Sequence, residues 1–131
     1  MKIVIDTNVL ISSFLFKGFS ADVLDYCKRS HKVYLSNWIV NEFIEKMEGK
    51  FKIPKERINY IIILINEFFT IIDPKCKLPE LCRDKDDNNV LQLAEYINAD
   101  YIITGDKDLI VLKEYKGTKI IAPRDFYISE H

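Results

Sequence analysis

The 131-residue chain is short of the features that mark several common protein classes. It holds three cysteines, Cys27, Cys76 and Cys82, an odd number with no Cys-x-x-Cys pair. A disulfide framework or a thiolate zinc site is therefore not expected, and reduced thiols in a cytoplasmic setting are. No stretch nears the roughly 20 apolar residues that a membrane span needs. The N-terminal apolar run is broken by Asp6, which is not the pattern of a signal peptide. No charge dominates: Lys+Arg 19 against Asp+Glu 20 gives a formal net charge of -1. Such a balance neither announces a nucleic-acid binder nor forbids a local basic patch. The two histidines, His31 and His131, lie apart from every acidic motif described below, so a histidine general base is not expected. Repeats, low-complexity tracts and linkers are also absent, and the expectation is a single domain over residues 1–131.

What is present is ordinary in bulk and specific in pattern. A hydrophobic content of 48% in 131 residues is enough to bury a core. Short apolar runs alternate with helical patterns. Ile3-Val4-Ile5, Val33-Tyr34-Leu35, Thr70-Ile71-Ile72, Tyr101-Ile102-Ile103-Thr104 and Lys119-Ile120-Ile121 read as strands. Between them, helices are predicted from Val9 to about Phe16, from a cap at Ser20, from Trp38 to about Gly49, from Pro54 to about Phe68, over Asp87–Asn98 and over Leu109–Leu112, before a C-terminal tail. Strands alternating with helices imply an α/β fold with a central parallel sheet of five strands and right-handed crossovers. In such sheets ligands bind beyond the carboxyl ends of the strands. Asp6 follows the first strand there, and Asp106 follows the fourth.

Helix phase brings two more carboxylates towards the same edge. In the Trp38 helix, Glu42 falls on the inner flank between Trp38 and Ile39, whereas Glu45 and Glu48 turn away. Lys46, one turn on, shares its side and has the spacing to pair with it or to meet a phosphate. In the following acidic stretch, Asp87 continues the inner stripe of Val90, Leu91, Ala94 and Ile97, while Asp84 and Asp86 fall out of phase. Two unit charges about 5 Å apart repel by roughly 3 kcal/mol at an effective dielectric near 20. A cluster of four carboxylates thus asks for a cation, and an all-oxygen set suits Mg²⁺ or Mn²⁺. Taken singly, each residue has a structural reading: Asp6 as a turn carboxylate, Asp87 as a helix cap, Glu42 as the partner of Lys46, Asp106 as the cap of the next helix. That last reading leaves Asp108 open as the fourth ligand.

Met1–Asn8 with its Asp-Thr-Asn, Ser36 through Asn41-Glu42, Asp84-Lys85-Asp86-Asp87-Asn88, and Thr104-Gly105-Asp106-Lys107-Asp108-Leu109 together resemble the PIN domain, in order and across essentially the whole chain. The Thr-Gly-Asp-Lys-Asp-Leu string is similar to the subgroup regarded as toxins of toxin–antitoxin pairs. The resemblance implies a three-layer α/β/α domain with strand order 3-2-1-4-5 and a Mg²⁺- or Mn²⁺-dependent ribonuclease. It implies that Asp6, Glu42, Asp87 and Asp106 form an acidic quartet supported by Thr7, Asn8 and Thr104; Asp86 crowds Asp87 and Asp108 competes with Asp106, and Lys46, read from helix spacing, stands beside Glu42. RNA as substrate, an antitoxin partner and a homodimer follow as expectations. A scaffold that binds RNA or protein without turnover is the alternative. A haloacid-dehalogenase-like phosphatase wants Asp-x-Asp after the first strand, and Asn8 stands in the second slot. Lys17, Lys50, Lys52 and Lys107 read as solvated surface or as an RNA track. Phe14, Leu15, Phe16 and Phe19 read either as core or as a partner surface.

Overall fold

The computed structural model describes residues 1–130; His131 lies outside them. The fold is built on β1 (Lys2–Ile5), whose Ile3, Val4 and Ile5 are completely buried. A strand with no wet face must be covered on both sides, and neighbours on each edge satisfy its backbone. β2 (Lys32–Ser36) pairs with it in parallel on one edge and β4 (Tyr101–Ile103) on the other, Ile3 standing opposite Val33 and Tyr101. β3 (Thr70–Ile72) extends the sheet beyond β2, and β6 (Thr118–Ile121) extends it beyond β4, both parallel.

The sheet has six strands rather than the expected five. The extra one is β5 (Glu114–Tyr115), antiparallel to β6, which gives the order β3-β2-β1-β4-β6-β5. Lys116 and Gly117 join the pair with φ of 47° and 87°, the left-handed geometry of a two-residue hairpin. Two residues of strand carry too short a pattern to show in the sequence.

Helices flank the sheet. α1 (Thr7–Leu15) begins directly after Asp6, and α2 (Phe19–Ser30) packs on α1 and β2. α2 starts at Gly18 with no side-chain cap, so the expected cap at Ser20 lies inside the helix. α3 (Asn37–Gly49) is capped by Ser36, whose hydroxyl accepts the Ile39 N–H at 3.1 Å. α4 (Lys55–Phe68) follows Pro54. α5 (Lys85–Ile97) packs against β1, β2 and β4 and ends at Asn98 in the left-handed conformation. α6 (Lys107–Ile110) is one turn long.

The expected C-terminal tail is a helix, α7 (Pro123–Glu130), packed on α2. Pro123 opens it, as proline suits a first helical position. Its Phe126 is fully buried, with ring contacts to Tyr101 at 5.2 Å and to Tyr26 and His31 at 6.4 Å. One buried aromatic in eight residues leaves no periodicity to read. Phe14 packs on Phe43 and Leu15 is half-buried, whereas Phe16 stays exposed and Phe19 stacks edge-on against Tyr127. The aromatic run is thus divided between core and surface.

Removing a fully buried phenyl ring typically costs about 3–5 kcal/mol. Phe126→Ala should therefore lower the unfolding free energy by that order in urea titration. A loss under about 1 kcal/mol would show that α7 contributes little to the core.

Candidate active site

The strand order changes direction at β1, whose neighbours β2 and β4 are reached by crossovers running opposite ways. A crevice opens at such a switch point. Backbone bonds tie its floor together: the Asp6 N–H donates to Ile103 O and the Thr104 N–H to Ile121 O, both at 3.0 Å.

Asp6 is 7% exposed and held at both oxygens. Its Oδ1 accepts the Thr7 N–H at 2.7 Å and its Oδ2 accepts the Thr104 hydroxyl at 2.7 Å. The Thr104 hydroxyl in turn accepts the Asp106 N–H at 3.0 Å, so its own hydrogen is committed to Asp6. Asp106 caps α6 through Oδ1, which accepts the Asp108 N–H at 2.8 Å. A single hydroxyl thus connects the Asp6 carboxylate, after β1, to the backbone of Asp106, after β4.

α5 brings the next pair. Asp84 is its N-cap and accepts the Asp86 N–H at 3.0 Å. Asp87, one turn in, is 6% exposed, and its Oδ2 is buried without a hydrogen-bond partner among the described residues. Asp84, Asp87 and Asp106 each offer one oxygen, and these lie within 4.8 Å of one another. From α3, Glu42 points into the same crevice, half-buried, while Glu45 and Glu48 are exposed. Lys46 Nζ lies 4.0 Å from Glu42 and donates to Asn8 Oδ1 at 3.2 Å. The resulting cleft, of about 60 Å³, is lined by Asp6, Glu42, Asp84, Asp86, Asp87 and Asp106, with Asn8, Trp38 and Lys46.

The electrostatics follow from this crowding. Burial pushes the Asp6 carboxyl above its ordinary value, against the pull of Thr104 and Thr7; Asp106 raises it further and Lys46 lowers it. Burial likewise raises Glu42, opposed by the Thr7 hydroxyl and Lys46 and reinforced by Asp6 and Asp86. That hydroxyl is near enough to favour the charged carboxylate but forms no well-aligned hydrogen bond among the described residues. Asp87 is pushed up to about 8, first by burial, then by direct contact with Asp106 and by the charges of Asp106, Asp84 and Asp6. Even the nearby Cys82 thiol is raised to about 11 by burial and the surrounding carboxylates. Without a cation the cleft holds more negative charge than it can ionise comfortably.

A sequence model of the PIN domain matches residues 2–108. An uncharacterised protein of Methanocaldococcus jannaschii is 35% identical over 120 residues, covering 87% of this chain and 76% of that protein. The chain belongs to the PIN-domain family. Members of this family are generally nucleases that use divalent metals. Two solved structures share the PIN fold at 14% identity, each covering 93% of this chain and 98% of the other. They are VapBC2 from Rickettsia felis bound to a DNA fragment from their promoter, with a TM-score of 0.68, and FitAcB from Neisseria gonorrhoeae, with a TM-score of 0.57.

In this PIN domain the cleft brings together Asp6, Glu42, Asp87 and Asp106, with Asn8, Lys46 and Asp86 on its lining and Thr7 and Thr104 beneath. Asp108 does not line it: its carboxylate takes both oxygens to Arg83 Nη2, at 3.1 and 3.2 Å. Lys17, Lys50, Lys52 and Lys107 are exposed and do not line it either. Helix phase set Asp84 aside, yet Asp84 is a member of the closest oxygen trio. A cap residue precedes the helix, so helical periodicity does not govern where it points; the Asx-type bond to residue 86 is the signal that identifies it. Asn88 was also missed as a support. It is buried, and its Oδ1 accepts the N–H groups of Leu81 and Cys82 at 3.2 and 2.9 Å, fastening the loop that delivers Asp84.

The raised carboxyls predict a pH dependence. In metal-free solution the folded chain retains a proton on Asp87 that the unfolded chain has lost, from the ordinary carboxylate range up to about 8. Stability should therefore fall as pH rises through that window and level off above it, with Asp6 and Glu42 acting in the same direction. Urea unfolding in a chelator should show this slope, and Asp87→Asn should flatten it and exceed the native chain in stability above neutrality. Stability that climbs through the window would contradict the crowding.

Proposed function

We propose that this PIN domain is a cytoplasmic Mg²⁺- or Mn²⁺-dependent endoribonuclease that hydrolyses RNA phosphodiester bonds. The observation that carries the reading is the trio Asp84, Asp87 and Asp106 beside Asp6, with a buried Asp87 Oδ2 that has no hydrogen-bond partner among the described residues. The donor set is all carboxylate oxygen, which fits a hard divalent cation and not zinc or copper. Asp87 and Asp106 would hold the ion, with Asp84 or Asp6 completing the set and Glu42 facing them from α3. When bound, such a cation supplies an activated water and neutralises charge on the phosphate.

The chain's own residues prepare that chemistry. Thr104 and the Thr7 N–H fix Asp6 in one orientation, so it faces the crevice without rearrangement. Asp106 spends one oxygen on capping α6 and keeps the other for the cleft. Asn8 lines the cleft on the α1 side, where its amide N–H can donate to an incoming phosphate or water, and the buried Thr7 hydroxyl lies beneath. The likeness in fold to VapBC2 and FitAcB supports a toxin's role, with an antitoxin protein as partner. The exposed Phe16 and neighbouring Phe19 offer apolar surface for that partner or for a second copy.

Cleavage of a mixed-sequence single-stranded RNA with Mg²⁺ or Mn²⁺ tests the reading. Asp6→Asn and Asp106→Asn should each reduce the rate by roughly a hundredfold or more, as loss of a catalytic electrostatic group does. Equal cleavage rates for wild type and Asp6→Asn would overturn the assignment of this site, and no cleavage by wild type would leave the non-cleaving scaffold as the better description. Asp108→Asn removes only a surface ion pair, worth about 1 kcal/mol or less, and should stay within a few-fold of wild type; loss of activity there would move the fourth ligand to Asp108.

A further inference from the structure

Lys46 is the one cationic side chain among the described residues that line the acidic cleft. It is placed unusually for a lysine facing six carboxylates. Its short contact is to the neutral amide oxygen of Asn8, at 3.2 Å, and its ion pair with Glu42 is loose, at 4.0 Å. An ammonium has three donors, and here one is used on a neutral acceptor. The side chain is about one-third exposed, so its tip stays at the rim. The neighbours bear on this position: Asp6 already accepts one hydrogen bond at each oxygen, from Thr7 and Thr104, and the Asp84, Asp87 and Asp106 oxygens gather on the α5 and α6 side. Lys46 stands opposite that trio, on α3.

We infer that Lys46 is an exchangeable counter-ion: it neutralises the Glu42 side of the cleft while no divalent cation is bound, and passes to a non-bridging phosphate oxygen of the RNA when metal and substrate enter. The inference rests on the nuclease reading above and adds a phosphate-binding residue to it. Its physical basis is the loose hold just described. A cation arriving at the trio repels Lys46 from the cleft, whereas a phosphodiester brought to that cation offers it a full negative charge. The move breaks one hydrogen bond to an amide and a long ion pair, and forms a charge-assisted bond to phosphate.

Two measurements on wild type, Lys46→Gln and Lys46→Arg separate this role from a purely structural one. In Mn²⁺ titration calorimetry without RNA, Lys46→Gln should bind the ion several-fold tighter, because a competing positive charge is gone, and Lys46→Arg should match wild type. In cleavage of mixed-sequence single-stranded RNA, Lys46→Gln should raise KM about tenfold and change kcat little. It should also reduce the salt dependence of kcat/KM by about 0.7 in log–log slope, one phosphate contact on a single strand. Unchanged Mn²⁺ affinity, or an unchanged salt slope, overturns the exchange. A wild type that binds no Mn²⁺ and cuts no RNA overturns the nuclease reading and this inference together; an active wild type indistinguishable from Lys46→Gln overturns only the inference.

Discussion

Mutual repulsion among carboxylates is the constraint on which the rest of this molecule turns. Six acidic side chains line one cleft of about 60 Å³. At an effective dielectric near 20, each close pair costs on the order of 3 kcal/mol when both members are charged. The fold answers this cost with rigidity. Asp6 rises from a strand sealed on both faces, bonded at both oxygens, and Asp106 and Asp84 are tied down as caps of α6 and α5. None of them can relieve the repulsion by swinging away, so it adds to the effect of burial on proton affinity: Asp87 is raised to about 8, first by burial and then by Asp106, Asp84 and Asp6.

Rigidity of this kind requires the β1 position. Only the central strand, paired in parallel with β2 and β4, ends at a crevice between oppositely running crossovers. The bond from the Asp6 N–H to Ile103 O and the Thr104 hydroxyl on Asp6 Oδ2 then lock two strand ends into one unit. The loop before α5 is less regular, and the chain fastens it from both sides, by Asn88 to the Leu81 and Cys82 amides and by Arg83 to Asp108. Asp108 is thereby drawn into holding the loop, which separates its part from that of Asp106 two residues earlier.

How much of this the sequence shows depends on how local each cause is. The parallel sheet was legible because buried strands carry continuous apolar runs, and Glu42 and Asp87 were legible because helical phase fixes their direction. Asp84 was not, since it acts from the cap, where phase has no meaning. Choosing between Asp106 and Asp108 needs the position of Arg83, 25 residues away in the chain. β5 and α7 leave no sequence signal because two residues of strand and eight of helix carry too few repeats for a period to emerge. The contact between Lys46 and Asn8 spans 38 residues and depends on α1 and α3 meeting, which no local pattern encodes.

The same crowding that makes the cleft costly to fold makes it selective once folded. A ligand that binds the native state and not the unfolded chain stabilises it in proportion to its affinity. For a divalent cation, part of that affinity is the repulsion it relieves. The carboxylates would therefore link the binding of a divalent cation to stability: such an ion would be favoured because the ionised site is strained in its absence. Lys46 moderates that strain with a single charge, held at 3.2 Å by the Asn8 amide and more loosely, at 4.0 Å, by the Glu42 carboxylate. A tighter internal pair would steady the empty protein but compete more strongly with the ion. A weak contact at the rim would leave the oxygens of Asp87 and Asp106 open to a cation from solution.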